Sequence, residues 1–531
     1  MNKSLSSFVV TLPPPTPNGG LHVGHLTGPF LGADAFAKAA KLQGHPCFTT
    51  CYSDVNQSYV RVTAKRQKRD PNELSAFWTD DIVKTLTTYN VGVSDYFPVE
   101  AESQSFVRQL FQDLYARSIL VKKPFPIFRS LDSGEYLDEA GVSGYCPRCL
   151  AGCKCGICES CSGLTSPLDL VQPSITLTGS SNLEVAMVDV MVLELERFRE
   201  QIKEVYAANR HFRPRFLWVV EDALSKALPD FPVSLPGSWG IPVDHVDFPG
   251  QVINAWPEIM AQQIYSYKRA IAMDATLGEN PAFVNFYGFD NSYFYAIVHA
   301  ALMTQIDDGR WLPSAAVNNE FYNLDHAKFS TSNNHVVWAG DLAKRFGIDE
   351  VRFYAAFNSP GFEKANFNEK DMAMVVEDRL HSVWDDIVLA YNAYPGVELA
   401  ASLSGSEQAR AVGQAALRRI FESYSLERFH LRQATEDLLH LLELISVQLR
   451  NQGAGMTLGD IGYLLKCFAL AAYPLMPVGA DTLYRCLTGK QISAIGVDDA
   501  LHWHHLPAGL FRAVAGALAQ PAAVDLTEAC A

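Results

Sequence analysis

The first fifty residues constrain the fold most. Phe8 to Leu12 read as a strand, a proline- and glycine-rich turn runs to Gly20, and a helix occupies His22 to Leu42 before Gly44 stops it. Within the helix Val23, Leu26, Phe30, Ala33 and Ala37 recur at alternating spacings of three and four, which builds one apolar face. Pro46 to Tyr52 reads as a second strand. Strand, helix and strand in this order make half of a Rossmann-like sheet, so the expected class is α/β.

A chain of 531 residues is too long for one compact domain. Residues 116–236 interrupt the alternation with a cysteine cluster and a mixed stretch, and strand-like and helical segments resume near Gln251. An insertion between two halves of a nucleotide-binding fold explains that order. From Val375 onward the pattern is helical, with breaks at Pro395-Gly396 and Gly453-Ala454-Gly455. Apolar residues are 48% and charged residues 19%, a globular composition. The apolar run at Phe8 to Val10 is cut by Pro13, Pro14 and Pro15, which fits neither a signal peptide nor a membrane span, and the cytoplasm is the expected compartment. A net charge of -15 weighs against nucleic acid as a partner, because phosphate binding draws on Lys and Arg.

Of eleven cysteines, six fall between residues 146 and 161. Cys146 and Cys149, then eight residues, then Cys158 and Cys161 form a C-x2-C-x8-C-x2-C pattern. Two short pairs of this kind present four thiolates tetrahedrally, the geometry of a closed structural zinc site. Cys153 and Cys155 leave other partitions, an iron-sulfur cluster and an unmetallated loop open.

The segment Pro17-Asn18-Gly19-Gly20-Leu21-His22-Val23-Gly24-His25 sets two histidines three apart where a helix begins. A helix start offers unpaired N–H groups to an anion, and glycines let a ligand approach the backbone. Far downstream, Lys328-Phe329-Ser330-Thr331-Ser332 follows Phe321-Tyr322-Asn323-Leu324. The two segments together resemble the HIGH and KMSKS motifs of class I aminoacyl-tRNA synthetases. Further matches make the methionyl-tRNA synthetase family the nearest resemblance. Cys51-Tyr52-Ser53-Asp54 is similar to its GTDE motif, Trp239-Gly240-Ile241-Pro242-Val243 to WGIPVP, and Gly288-Phe289-Asp290-Asn291 to GKDN. Asn319-Glu320-Phe321, Val351-Arg352-Phe353-Tyr354, Ser359-Pro360 and Tyr473-Pro474-Leu475-Met476-Pro477 continue the match over nearly the whole chain.

The resemblance implies a class I Rossmann-like parallel sheet with a zinc-knuckle insertion and a C-terminal helical bundle. It divides the chain into 1–115 and 237–326 as the two halves of the catalytic domain, 116–236 as the connective insertion, 327–374 as the mobile-loop and stem region, and 375–531 as a helical anticodon-binding-like domain. It implies catalytic roles for His22, His25 and Lys328, and ATP contacts from Asn18, Gly19, Gly24, Asp290, Ser330 and Ser332, with Mg2+ accompanying ATP. Pro14, Asp54, Trp256 and Tyr295 fall in the amino-acid pocket, Asp54 holding the ammonium, and the zinc ligands are Cys146, Cys149, Cys158 and Cys161.

The chain departs from the family at three places. The second lysine of the mobile loop is Thr331 and the following Arg-Gly is Asn333-Asn334, a loss on the order of 2–4 kcal/mol of transition-state stabilisation unless His335, Lys344 or Arg345 substitutes. Two pocket tyrosines are Thr16 and Gln263, and a histidine is Tyr295, which makes a roomier and more polar pocket than methionine asks for. Ile387 and Tyr391 align with the Asn and Arg through which the family reads the anticodon. The expected function is ATP-dependent activation of an amino acid as its adenylate by a diverged paralogue. It would be passed to a small-molecule acceptor, for example in hydrazine-forming chemistry that joins a hydroxylated lysine to glycine. Methionine-tRNA ligation is the second reading and a non-catalytic sensor the third.

Overall fold

The computed structural model describes residues 6–207, 211–329, 335–394, 405–451, 456–495, 501 and 505–512, apart from the Lys328 side chain. It divides the chain into two compact units. Unit one holds Met1–Gly20, His45–Ile82 and Val93–Phe321; unit two holds Leu21–Gly44, Val83–Gly92 and Tyr322–Ala531.

Unit one is built on a parallel sheet. Strands β1 (Phe8–Thr11), β2 (Cys47–Cys51), β3 (Asp95–Tyr96), β4 (Ala282–Gly288) and β5 (Ala315–Asn319) stand in the order β5-β4-β1-β2-β3. Phe8 pairs with Ala282 on one side and Cys47 on the other, so strand order reverses about β1. Strands covered on both faces carry unbroken apolar runs, and β1 and β2 are buried at every position. In open α/β sheets ligands bind beyond the carboxyl ends of the strands at such a switch point. The segments there are Leu12–Asn18, Tyr52–Asp54, Phe289–Asn291 and Glu320, which contain four of the sequence motifs.

The chain between β3 and β4 carries a four-stranded sheet dominated by antiparallel pairing of Val121–Ser130 with Leu183–Glu194, in register from Ser130↔Leu183 to Val121↔Val192. The cysteine-rich loops lie between those two strands in sequence, on the short strands Val142–Tyr145, Gly152–Lys154, Ile157–Cys158 and Gly163–Leu164. The Ala255–Met273 helix is buried almost throughout its first three turns, and the Asn254 side chain caps it by accepting from Trp256 N.

Unit two begins with the helical stretch Val23–Leu42. Pro29 has no N–H to return to the preceding turn, and Leu26–Phe30 winds as a π-helical turn directly after His25. A small sheet joins Tyr322–Leu324 to Ala327–Lys328 and Ala365–Phe367, and the remainder is helical, with long segments at Ser382–Asn392, Glu407–Glu422, Leu431–Arg450, Leu458–Ala472 and Pro477–Thr488. Arg352, 2% exposed, is the hinge of the packing. Its guanidinium donates to Asp34 Oδ2 at 2.6 Å, to Tyr89 O at 2.9 Å, to Pro474 O at 2.8 Å and to Leu475 O at 2.8 Å. Two motifs that the sequence alone leaves without a role, those at Arg352 and at Pro474-Leu475, are thus one interaction. Ile387 and Tyr391 are core residues, 0% and 1% exposed, and present nothing to a nucleic acid. No helix among the described residues is long and apolar enough to cross a membrane.

Candidate active site

Three carboxyl groups of unit one are enclosed with neutral partners only. Asp54, just past β2, is 4% exposed; its N–H donates to Pro15 O at 3.0 Å and its carboxylate accepts from Gln57 Nε2 at 3.2 Å. Glu258, 3% exposed on the first turn of the Ala255–Met273 helix, accepts from Asn56 Nδ2 at 2.7 Å, and its Oε2 has no hydrogen-bond partner. Half-buried Glu139 accepts from the Tyr59 hydroxyl at 3.2 Å and from Trp256 Nε1 at 2.7 Å. Burial pushes Glu258 and Glu139 up to about 7, and burial reinforced by the Glu258 and Glu139 charges pushes Asp54 well above the carboxylate range. No lysine or arginine among the described residues forms an ion pair with any of the three. A buried carboxylate without a cation is costly, and an ammonium ligand relieves that cost.

A small pocket of about 10 Å3 lies beside them, lined by Thr11, Pro14, Cys51, Tyr52, Gln263 and Tyr295 among others. Gln263 is 5% exposed, reaches Thr11 Oγ1 at 3.5 Å and leaves its Oε1 without a partner. An unsatisfied buried amide favours a ligand that can donate to it. Tyr295 stacks on Tyr287 at 4.1 Å and sits in the π-helical turn Phe294–His299, a kind of irregularity common at functional positions. Burial holds the neighbouring His299 at about 3, so the ring is neutral and its Nε2–H donates to Trp256 O at 2.9 Å, fixing the Trp256 backbone. Trp256 itself stacks on Phe294 at 3.7 Å.

The expected ATP-contacting residues divide between the units. In unit one Asn18 and Gly19 lie in the turn after β1, and Asp290 follows β4 in a short 3-10 turn. A side chain at Gly288 would come within 2.6 Å of the Asp290 carboxylate and push it aside, so glycine there leaves Asp290 in place. In unit two the His22 and His25 rings stack at 3.6 Å, and His22 Nδ1 caps the helix by accepting from His25 N at 3.2 Å. Phe329 stacks on His22 at 4.6 Å, and a Cβ on Gly24 would meet both rings at 3.0 to 3.2 Å. The glycine between the histidines is therefore what allows the three rings to layer.

Lys328 has its backbone in the short strand paired to Asn323. Ser330, Thr331, Ser332, Asn333 and Asn334 lie outside the described residues. The three side chains named as substitutes for the missing loop cations are engaged elsewhere: His335 Nε2 with Leu324 O at 2.8 Å, Lys344 with Asp341 at 2.7 Å, and Arg345 with Glu369.

The Sγ atoms of Cys146, Cys149, Cys158 and Cys161 all lie within 4.8 Å of one another, and this set could hold a metal ion. Separations of 3.8 Å (Cys146 to Cys161) and 3.5 Å (Cys149 to Cys158) suit a tetrahedral Zn–S4 centre, in which bonds near 2.3 Å give S···S of about 3.8 Å. Arg148 N–H donates to Cys146 Sγ at 3.4 Å, as expected for a thiolate ligand. Cys153 and Cys155 instead pack against Phe128, Val142 and Leu170 and belong to the apolar wall beneath the loop.

Sequence reasoning passed over Glu258, Glu139, Asn56 and Gln57. Only Glu258 carried a local signal, an acidic residue two places after Trp256 on an otherwise apolar helix. Glu139 comes from the inserted segment and approaches Trp256 through a tertiary contact that no local pattern announces.

The family model of class I tRNA synthetases (M) matches residues 8–389. The methionine-tRNA ligase of Methanobrevibacter smithii is 24% identical over 383 residues, covering 71% of this chain and 58% of that protein. That of Roseiflexus sp. is 25% identical over 472 residues, covering 84% of this chain and 79% of the relative. The chain thus spans less than two thirds of the length of several of the relatives it matches. Mycobacterium tuberculosis methionyl-tRNA synthetase bound by methionyl-adenylate superposes with a TM-score of 0.75 at 16% identity, over 95% of this chain and 99% of that one, a likeness of fold. With the family model running from β1 through the cysteine knuckle into the helices of unit two, the chain belongs to the methionyl branch of the class I tRNA synthetases.

Proposed function

We propose that this protein activates an amino acid with ATP and passes the acyl group to a small-molecule acceptor. In the activation step a carboxylate oxygen of the amino acid attacks the α-phosphorus, the bond from that phosphorus to the bridging oxygen of the β-phosphate breaks, and pyrophosphate leaves. Asp54 takes the α-ammonium. His22, His25 and Lys328 donate to phosphate oxygens as charge accumulates, with Asn18, Gly19, Gly24, Asp290, Ser330 and Ser332 positioning the nucleotide and Mg2+ accompanying it. Zinc held by Cys146, Cys149, Cys158 and Cys161 is structural, since four thiolates fill its coordination. One equivalent per chain on metal analysis is the expected result.

The observation that carries a specialised role is Gln263, buried in the pocket wall with its Oε1 unpaired, where an apolar thioether has nothing to donate to it. The buried Ile387 and Tyr391 and the acidic total favour an acceptor other than tRNA. Charging of tRNA with methionine is the second reading, favoured by the names of the relatives. Pyrophosphate exchange across the proteinogenic amino acids and N-hydroxylated lysine, followed by an acylation assay with bulk tRNA, separates the two. Exchange with a polar amino acid and no charged tRNA supports the proposal; efficient methionyl-tRNA formation overturns it.

A further inference from the structure

Unit one contains a second, larger cavity of about 410 Å3, bounded by the Val121–Ser130 strand, the cysteine knuckle and the Pro214–Leu224 helix. Packed interiors rarely hold voids much larger than a water, whereas small-molecule sites begin at about 300 Å3. Trp256 and Phe294, stacked on each other, form part of its wall together with Phe125, Ile127 and Phe128, and Trp218, 40% exposed, stands at the margin.

The polar lining is unbalanced. Both basic residues, Arg148 and Lys226, are bound to the same carboxylate: Arg148 donates to the two Asp222 oxygens at 2.8 Å each, and Lys226 to Asp222 at 3.2 Å. Asp138 is paired with Arg61 at 2.6 Å and Asp230 with Lys123 at 2.5 Å. Asp169, exposed at the rim, accepts from Ser166 N at 2.6 Å, whereas half-buried Glu139 has neutral donors alone, the Tyr59 hydroxyl and the Trp256 indole N–H, which fix both of its oxygens at the cavity wall. A roomy aromatic chamber with an oriented, half-buried carboxylate that no cation neutralises is the arrangement that recognises a protonated amine: the ammonium donates to the carboxylate and the apolar body fills the chamber.

We propose that this cavity is a second ligand site that takes a small primary amine with an apolar body, its ammonium on Glu139. The site is distinct from the Gln263 pocket, and the proposal does not depend on which amino acid the protein activates. The test is calorimetric titration of the zinc-loaded protein with 2-phenylethylamine and with its neutral counterpart 2-phenylethanol. The amine is expected to bind at least tenfold more tightly than the alcohol. Glu139→Gln, which keeps the volume and an acceptor for Trp256 Nε1 while its amide N–H can donate to the Tyr59 hydroxyl, should remove that preference, while Glu258→Gln should leave it intact. Leu235→Trp, at a half-buried position on the cavity wall, should weaken amine and alcohol together by tenfold or more. Equal binding of amine and alcohol, absence of amine binding, or a preference that survives Glu139→Gln and disappears in Glu258→Gln would overturn the proposal. Because the titration contains no ATP or amino acid, its result is separable from that of pyrophosphate exchange.

Discussion

Asp34 of unit two and Asp54 of unit one are buried in opposite ways. In unit two, Asp34 is 1% exposed and ion-paired to Arg352 and Lys38, with a further hydrogen bond from Gly92 N at 2.8 Å. Despite its burial, those cations hold its carboxyl below the usual range. In unit one, Asp54 and Glu258 are buried to nearly the same extent with amide donors and no cation, and both are displaced upward. The same residue type at the same depth therefore reports two different tasks. Asp34, compensated, belongs to the architecture, as does Asp349, which takes the backbone N–H groups of Val478 and Gly479; Asp54 and Glu258, with side-chain amide donors and no cation, mark where a ligand's charge is to go.

The comparison breaks most visibly at Arg352. Arg352→Met should cost about 3–5 kcal/mol, because it takes one of the two cations from Asp34 and orphans three backbone carbonyls, and adding Asp34→Asn, which keeps an acceptor for Lys38 and Gly92 N, should recover part of the loss. Chemical denaturation followed by circular dichroism measures both. A smaller effect of opposite sign is expected at Glu258. Its folded value of about 7 lies above the ordinary carboxylate value, so the folded state holds the proton more tightly. Stability is lost as pH rises from about 4.5 to about 7 and stays low above it. Glu258→Gln, which keeps the acceptor for Asn56, should then stabilise the ligand-free protein at pH 8 by roughly 3 kcal/mol and have little effect at pH 4.5. Thermal unfolding at the two pH values checks the sign. The smallest change is expected at Gln263: Gln263→Leu removes an unsatisfied amide and should add about 1 kcal/mol of stability while raising KM for a polar amino-acid substrate. An unchanged KM would detach Gln263 from recognition.

The parts of this molecule legible in sequence are those with local rules. The β1 to β2 unit follows from apolar periodicity and glycine placement, and the four knuckle thiolates from paired spacing. Helices at Glu407–Glu422, Leu431–Arg450 and Leu458–Ala472 fall in the stretch from Val375 onward that reads as helical, on either side of the break at Gly453-Ala454-Gly455. The π-helical turns at Leu26–Phe30 and Phe294–His299 are not visible in sequence, since these residues are buried on nearly every side and leave no apolar stripe whose shift would mark the extra residue. Nor was the Glu139–Trp256 bond, which joins residues 117 apart, or the link from Arg352 to Leu475 across 123. Long-range polar contacts have no period, and the charge balance of the pocket consists of them.

Carbon-13 NMR of the side-chain carboxyls, titrated from pH 3 to 9 with and without an amino acid that supports pyrophosphate exchange, tests the distinction most directly. Asp34 should show no titration above the ordinary aspartate value in either sample. Glu258 should titrate near 7 in the free protein and at least one pH unit lower in the complex, as the ligand's ammonium stabilises its charge. A Glu258 that titrates as an ordinary glutamate in the free protein, or one that the amino acid leaves unmoved, would contradict the account.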